Sequence, residues 1–118
     1  MTVTILKIKT KIGKNCITIG DGQKIYRAIH KTLIRKGTAI LDFEGVEVFA
    51  SPFFNAAIGQ LLKDIEPDVL NKHLKVESLS PTGMGTLERV IENSKKYYCD
   101  PNYQKSIISL LQEYSEAS

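Results

Sequence analysis

The chain contains no tryptophan, only two histidines and only two cysteines among its 118 residues. The cysteines, Cys16 and Cys99, stand far apart and fit no metal-ligand spacing, so neither a disulfide framework nor a thiolate metal site is expected. They are read as reduced thiols that pack as small hydrophobes. His30 and His73 have no cysteine or acid at ligand spacing and are expected on the surface, with no metal bound. The opening stretch, MTVTILKIKTKIGK, alternates lysines with aliphatics and has no continuous apolar run. It reads as neither a signal peptide nor a membrane span, and a cytoplasmic location is expected. Charge of one sign is also scarce. Sixteen Lys and Arg against thirteen Asp and Glu leave a net +3, well short of a nucleic-acid-binding composition.

What is present is a single domain's worth of sequence, 42% hydrophobic and 25% charged, long enough to bury a core without staples. Residues 2–12 alternate at period two and predict a strand with Leu6, Ile8 and Ile12 inward and Lys7, Lys9 and Lys11 outward. A second short strand follows at residues 16–19. Gly20-Asp21-Gly22 opens a helix with Asp21 as the expected N-cap and Ile25, Ala28, Ile29 and Leu33 inward. Gly37 ends it. Residues 38–43 are an apolar run and predict a central strand covered on both faces.

Ser51-Pro52 has the pattern of an N-cap followed by proline, and starts a core helix reaching residue 65. Gly59 inside that helix predicts a close backbone approach. Residues 68–73 form a short helix or turn, residues 74–79 a strand, and residues 80–85 a loop. An amphipathic helix then carries Leu87, Val90 and Ile91. A last helix over residues 100–116 carries Ile107, Ile108, Leu111 and Tyr114. Strands interleaved with helices predict an α/β layer structure with a mixed or largely parallel sheet.

No catalytic constellation emerges, and the chain is read as non-enzymatic, with no cofactor. Asp42 and Glu44 flank the end of the central strand, a usual place for a site in α/β sheets. No base, nucleophile or metal partner lies near them in sequence, so a structural or partner-facing role is expected. Gly20-Asp21-Gly22 and Gly83-Met84-Gly85 match no phosphate-binding fingerprint. Ser51 stands where a strand-end loop enters the core helix. A phosphate there would add about −1.5 to −2 charge to that loop.

Residues 40–59, with Asp42, Phe43, Gly45 and Val46 followed by Ser51, resemble the signature of STAS-like domains. The similarity is closer to a STAS-like family of uncharacterised bacterial proteins, related to the anti-sigma factor antagonists. The shared features are Gly20-Asp21-Gly22 with Ile25 and Tyr26, the Asp-Phe-x-Gly-Val turn at 42–46, and the pair Tyr97-Tyr98. The resemblance runs over residues 1–98. It implies a mixed β-sheet of about four to five strands with helices packed on it. It further implies docking onto a protein partner, an ATP-binding kinase-like protein or an anti-sigma regulator, with Ser51 at the phosphorylated serine. Ala50 replaces the acidic residue before that serine, and Pro52 and Phe53 replace the small residues after it.

The leading expectation is therefore a protein-binding regulatory module. Its contact surface would lie on residues 47–55 and draw on Asp42, Glu44, Glu47, Phe49, Pro52, Phe53 and Asn55. One alternative is polyanion or nucleic-acid binding through Lys24, Arg27, Lys31 and Arg35, which share one helical face. Another is a nucleotide-binding sensor at the sheet end near Asp42. The pattern leaves the oligomeric state open.

Overall fold

The computed structural model describes residues 2–99. In chain order the elements are β1 (Val3–Lys7), α1 (Ile8–Ile12), β2 (Asn15–Cys16), α2 (Ile19–Ile34), β3 (Thr38–Asp42) and β4 (Val48–Phe49). They continue as α3 (Ser51–Ala57), a 3-10 turn (Gly59–Lys63), α4 (Pro67–His73), β5 (Leu74–Glu77) and α5 (Pro81–Cys99). The last helix expected from the sequence, residues 100–116, lies outside the described residues.

The α/β expectation holds, but the sheet is smaller and simpler than anticipated. Three strands pair in the order β1-β3-β5, all parallel, with Ile5 opposite Ile40 and Leu41 opposite Val76. The strands β2 and β4 pair separately, also parallel, over two residues each. Neither sheet among the described residues is mixed. The order advances without reversal, and right-handed crossovers that advance one way all fall on one side of a sheet. So, among the described residues, β3 is covered on one face only, contrary to the doubly covered reading. Ala39 and Leu41 are fully buried, whereas Val3 and Ile5 on the other face are 54% and 65% exposed.

The strand expected over residues 2–12 breaks at Lys7, and α1 begins at Ile8. Ile8 and Ile12 are four residues apart, so they share a helical face as readily as a strand face. Tertiary packing decides, and Ile8 is fully buried in the core. The core helix is likewise interrupted. Helix α3 stops at Ala57, Ile58 leaves helical geometry (φ −124°, ψ −47°), and a 3-10 turn follows. Gly59 allows the close approach its position suggested: a Cβ there would lie 2.5 Å from Ser94 Oγ of α5. The core joins Phe43, Phe53, Phe54, Ile25, Ile29, Leu33 and Leu41 between the sheet and helices α2, α3 and α5.

Candidate functional site

Asp42 and Glu44 sit at the C-terminal end of β3, and their first task is to make a turn. Asp42 Oδ1 accepts a hydrogen bond from the Glu44 backbone N–H at 3.0 Å, an Asx turn. The Val46 N–H then donates to Phe43 O at 3.0 Å, closing a tight turn whose third residue, Gly45, has φ +82°. A side chain at position 45 would be strained and would meet the Lys9 side chain. The Asp-Phe-x-Gly-Val pattern is thus a turn prescription. A shallow cleft of about 280 Å³ lies beside it, lined by Lys7, Lys9, Thr10, Asp42, Glu44 and Gly45. Because the strand order of the described residues never reverses, they form no switch-point crevice there.

Within Gly20-Asp21-Gly22, it is Gly22 that serves helix packing. Thr18 is the N-cap of α2, accepting from the Asp21 N–H at 3.1 Å, so Asp21 is not the cap expected from sequence. Gly22 is buried against α3, where its missing Cβ makes room for Phe53 O and Ala56. Gly83 likewise lies against Leu79 and Phe49. It belongs to the first turn of α5, which starts at Pro81 where a loop was expected.

Around Ser51 the expected contact residues part company. Phe53 is fully buried, as is Phe54, so Phe53 is a core residue and not a docking anchor. Phe49 is half-buried and stacks on Phe54, with ring centroids 5.8 Å apart and planes within 5°. Glu47 is exposed and reaches Lys14 Nζ at 3.6 Å, an exposed pair that contributes little to stability. Ser51 is half-exposed and occupies the first helical position of α3. The cap is Ala50, with no side-chain bond. This corrects the N-cap reading of Ser51.

Pro52 and Asn55 are exposed and join a groove that sequence reasoning did not assemble. Two adjoining depressions of about 420 and 230 Å³ share Asn55, Gln60 and Tyr98. Ile19, Gln23 and Pro52 flank the first, and Asn93, Ser94 and Tyr97 flank the second. Gln60 is oriented by a bond from its side-chain N–H to Ala56 O. Burial pushes the Tyr98 hydroxyl pKa upward, with Tyr97 adding to the shift. Carboxamides and neutral phenols donate and accept hydrogen bonds without changing charge. The groove therefore suits recognition of backbone and polar side chains.

Nearby, His30 Nε2 donates to Asp64 Oδ2 at 2.8 Å, and Tyr26 stacks on the His30 ring with centroids 4.9 Å apart. Burial, then the Asp64 carboxylate and Tyr98, push the Tyr26 hydroxyl pKa up. His30 thus has an acid partner after all, brought from 34 residues away by the fold. Only the four-residue spacing of Tyr26 and His30 was visible in sequence. Lys24, Arg27, Lys31 and Arg35 are all exposed along α2 and its C-cap, with Lys24 Nζ 3.7 Å from Asp21 Oδ1. The basic stripe exists as a surface ridge.

Cys16 is fully buried, and burial followed by the Asp21 carboxylate pushes its thiol up to about 12. It is a packing residue, as expected. Among the described residues no helix is long and apolar enough to cross a membrane.

A family model described as a STAS-like domain of unknown function (DUF4325) matches residues 21–84, just over half of the chain. The matched span begins in the first turn of α2 and ends in the first turn of α5. It includes β3, the 42–46 turn and α3, and leaves out β1. No curated protein and no solved structure matches the chain.

Proposed function

We propose that this chain, which belongs to the STAS-like domain family of unknown function, is a regulatory module that works by binding another protein and not by catalysis. The observation that carries this reading is the groove beside Ser51. It is built from Gln23, Asn55, Gln60, Tyr98 and the exposed ring of Pro52. Its groups bond to a polypeptide surface without needing a charge partner, and the half-buried Phe49 and exposed Val48 supply apolar area nearby. Aromatic and amide groups of this kind are common at polar, adaptable interfaces.

The partner proposed is an ATP-binding kinase-like protein or an anti-sigma regulator, and Ser51 is the proposed modification point. A phosphate on Ser51 would place about −1.5 to −2 charge beside Pro52, at the groove's edge. Against a surface of neutral hydrogen-bonding groups, that charge is expected to weaken docking by desolvation. A working location in the cytoplasm fits such a partner.

The test is affinity capture of the full chain from its native cells after nuclease treatment, with mass spectrometry of bait and captured proteins. A partner retained by the unmodified chain and lost with Ser51→Asp supports the reading. A chain that retains no specific protein contradicts it.

A second reading rests on the solvent-facing ridge of Lys24, Arg27, Lys31 and Arg35. If that ridge binds a polyanion, retention falls steeply with salt and is abolished by Lys24→Glu with Lys31→Glu. Ser51→Asp leaves it untouched.

A further inference from the structure

The three-stranded sheet ends at β5, and among the described residues no strand pairs with its outer edge. The Phe43 N–H donates to Glu77 O at 2.9 Å, so Glu77 directs its backbone groups toward β3. These groups alternate in direction along a strand. Lys75 therefore also faces β3, while Val76 turns both its N–H and its C=O outward. Leu74 adds an outward C=O, its N–H being bonded already to Leu70 O. The register with β3 runs unbroken and β5 holds no proline, so neither a bulge nor a missing donor blunts this edge. An edge of this kind is a template for a further strand.

Beside the edge, on the helix side, lies an open cleft of about 460 Å³ between α4, β5 and α5. Leu74, Val76, Met84 and Leu87 belong to its apolar lining. Leu74 and Val76 are only half-buried, and Met84 is 36% exposed. The cleft shares no lining residue with the Ser51 groove. On the other face of β5, Lys75 and Glu77 are both exposed, and neither joins an ion pair among the described residues. Glu77 stands in register with Asp42, like charge beside like charge, with Lys7 on the far side of Asp42. That row of the sheet lacks a cation at its β5 end.

We propose that β5 is a self-association edge, on which a second copy of this chain pairs antiparallel about a twofold axis at Val76. The outward groups fit that axis. Val76 donates its N–H to the partner's Val76 O and accepts the reciprocal bond, the hydrogen-bonded pair of an antiparallel ladder. One step to either side, Lys75 comes opposite the partner's Glu77, and Glu77 opposite the partner's Lys75. Directly opposed residues share a face, so both pairs form on the open face and supply the missing cation beside Asp42 and Glu77. Charge also selects the register. An axis at Lys75 would oppose two lysines, and an axis at Glu77 two glutamates, so only the axis at Val76 opposes unlike charges within the strand. On the helix face the two clefts then meet across the axis, and Val76 packs on the partner's Val76. The sheet continues as β1-β3-β5 into the partner's β5-β3-β1, an isologous pairing. Strand β5 is four residues long, and Ser78 at φ +59° turns the chain away from it, so the dimer dissociates on dilution. This inference goes beyond the proposed function and does not rest on it, because it uses a different face of α5 and no foreign partner.

Sedimentation equilibrium of the full chain over a concentration series tests it. The unaltered chain is expected to show a monomer–dimer equilibrium. Lys75→Glu and Glu77→Lys, each at an exposed position, should each weaken the dimer at least about tenfold, since each sets like charges opposite one another twice. The double variant Lys75→Glu with Glu77→Lys should restore it. An equal mixture of the two single variants should form a mixed dimer, because each chain then opposes its two like charges to the other's unlike ones; that recovery also shows both variants to be folded. A chain that stays monomeric at every concentration overturns the proposal and leaves the edge to an unlike strand. A dimer that both single variants leave intact, or that neither the double exchange nor the mixture restores, overturns it too, since the copies would then meet elsewhere.

Discussion

Gly22 of α2 and Ala56 of α3 meet with no space between them: a Cβ added at position 22 would stand 2.6 Å from Ala56 Cβ and 2.5 Å from Phe53 O. This contact fixes the crossing of the two helices that carry the basic ridge and the Ser51 groove. Gly22→Ala should therefore destabilise the fold by about 1–3 kcal/mol, because backbone on the facing helix cannot yield as a flexible side chain would. Gly20, two residues earlier, faces open space. Gly20→Ala should be neutral or stabilising by up to about 1 kcal/mol. Urea denaturation of both variants separates the two, and equal effects would contradict the packing account.

Two Ser-Pro steps look alike in the sequence and differ in the fold. Ser80 Oγ accepts from the Gly83 N–H at 3.1 Å and caps α5. Ser51 stands inside the first turn of α3 and does not serve as its cap. Ser80→Ala should cost about 1 kcal/mol, and Ser51→Ala less than about half of that. Chemical denaturation measures both, and a larger loss at Ser51 would restore the capping role to it.

These comparisons mark where sequence reasoning reached and where it stopped. The amphipathic face of α2, the strand over residues 38–42, the turn at 42–46 and the helix through Leu87 and Val90 were legible because each depends on local pattern or turn chemistry. The break at Lys7 was not, because Ile8 and Ile12 satisfy two periods at once. The break at Ile58 follows from how closely α5 packs on Gly59, a contact from more than thirty residues away. The groove joins Gln23, Asn55, Gln60, Asn93 and Tyr98 from separate elements, and the His30–Asp64 pair spans a similar gap, so no local motif announces either. Phe53, expected on the contact surface, lies in the core instead, because an aromatic at a helix start shows the same pattern whether it faces the core or a partner.

The end of α2 is strained at one residue. Lys36 has φ +61°, while its N–H bonds to Leu33 O and the Gly37 N–H to Thr32 O, the hydrogen-bond pair of a Schellman motif. The left-handed residue is Lys36, and Gly37 instead allows close approach to Thr2 O. Lys36→Gly should stabilise the protein by about 1 kcal/mol, seen as a rise in Tm of several degrees. A loss of stability would show that the lysine side chain contributes more than its backbone strain costs.

The buried thiol predicts a pH effect. Cys16 is held neutral up to about 12 in the fold, against 9.0 as its ordinary value. The unfolded chain releases that proton first, so the stabilisation is intact below pH 9 and declines as pH rises toward 12. Tyr26 and Tyr98, also shifted upward by burial, act in the same direction above their usual range. Denaturation midpoints measured between pH 8 and pH 11 should fall, and Cys16→Ala should flatten part of that fall. A midpoint that stays level would contradict the burial assigned to Cys16.

The most direct test of the docking reading is calorimetric titration of the captured partner with the full chain and two variants of unchanged fold. Asn55→Arg, at an exposed position in the groove, should weaken binding at least about tenfold, whereas Lys24→Glu with Lys31→Glu on the ridge should change it less than about threefold. Undiminished binding of Asn55→Arg, or a loss confined to the ridge variant, would move the interface away from the Ser51 groove and contradict the account.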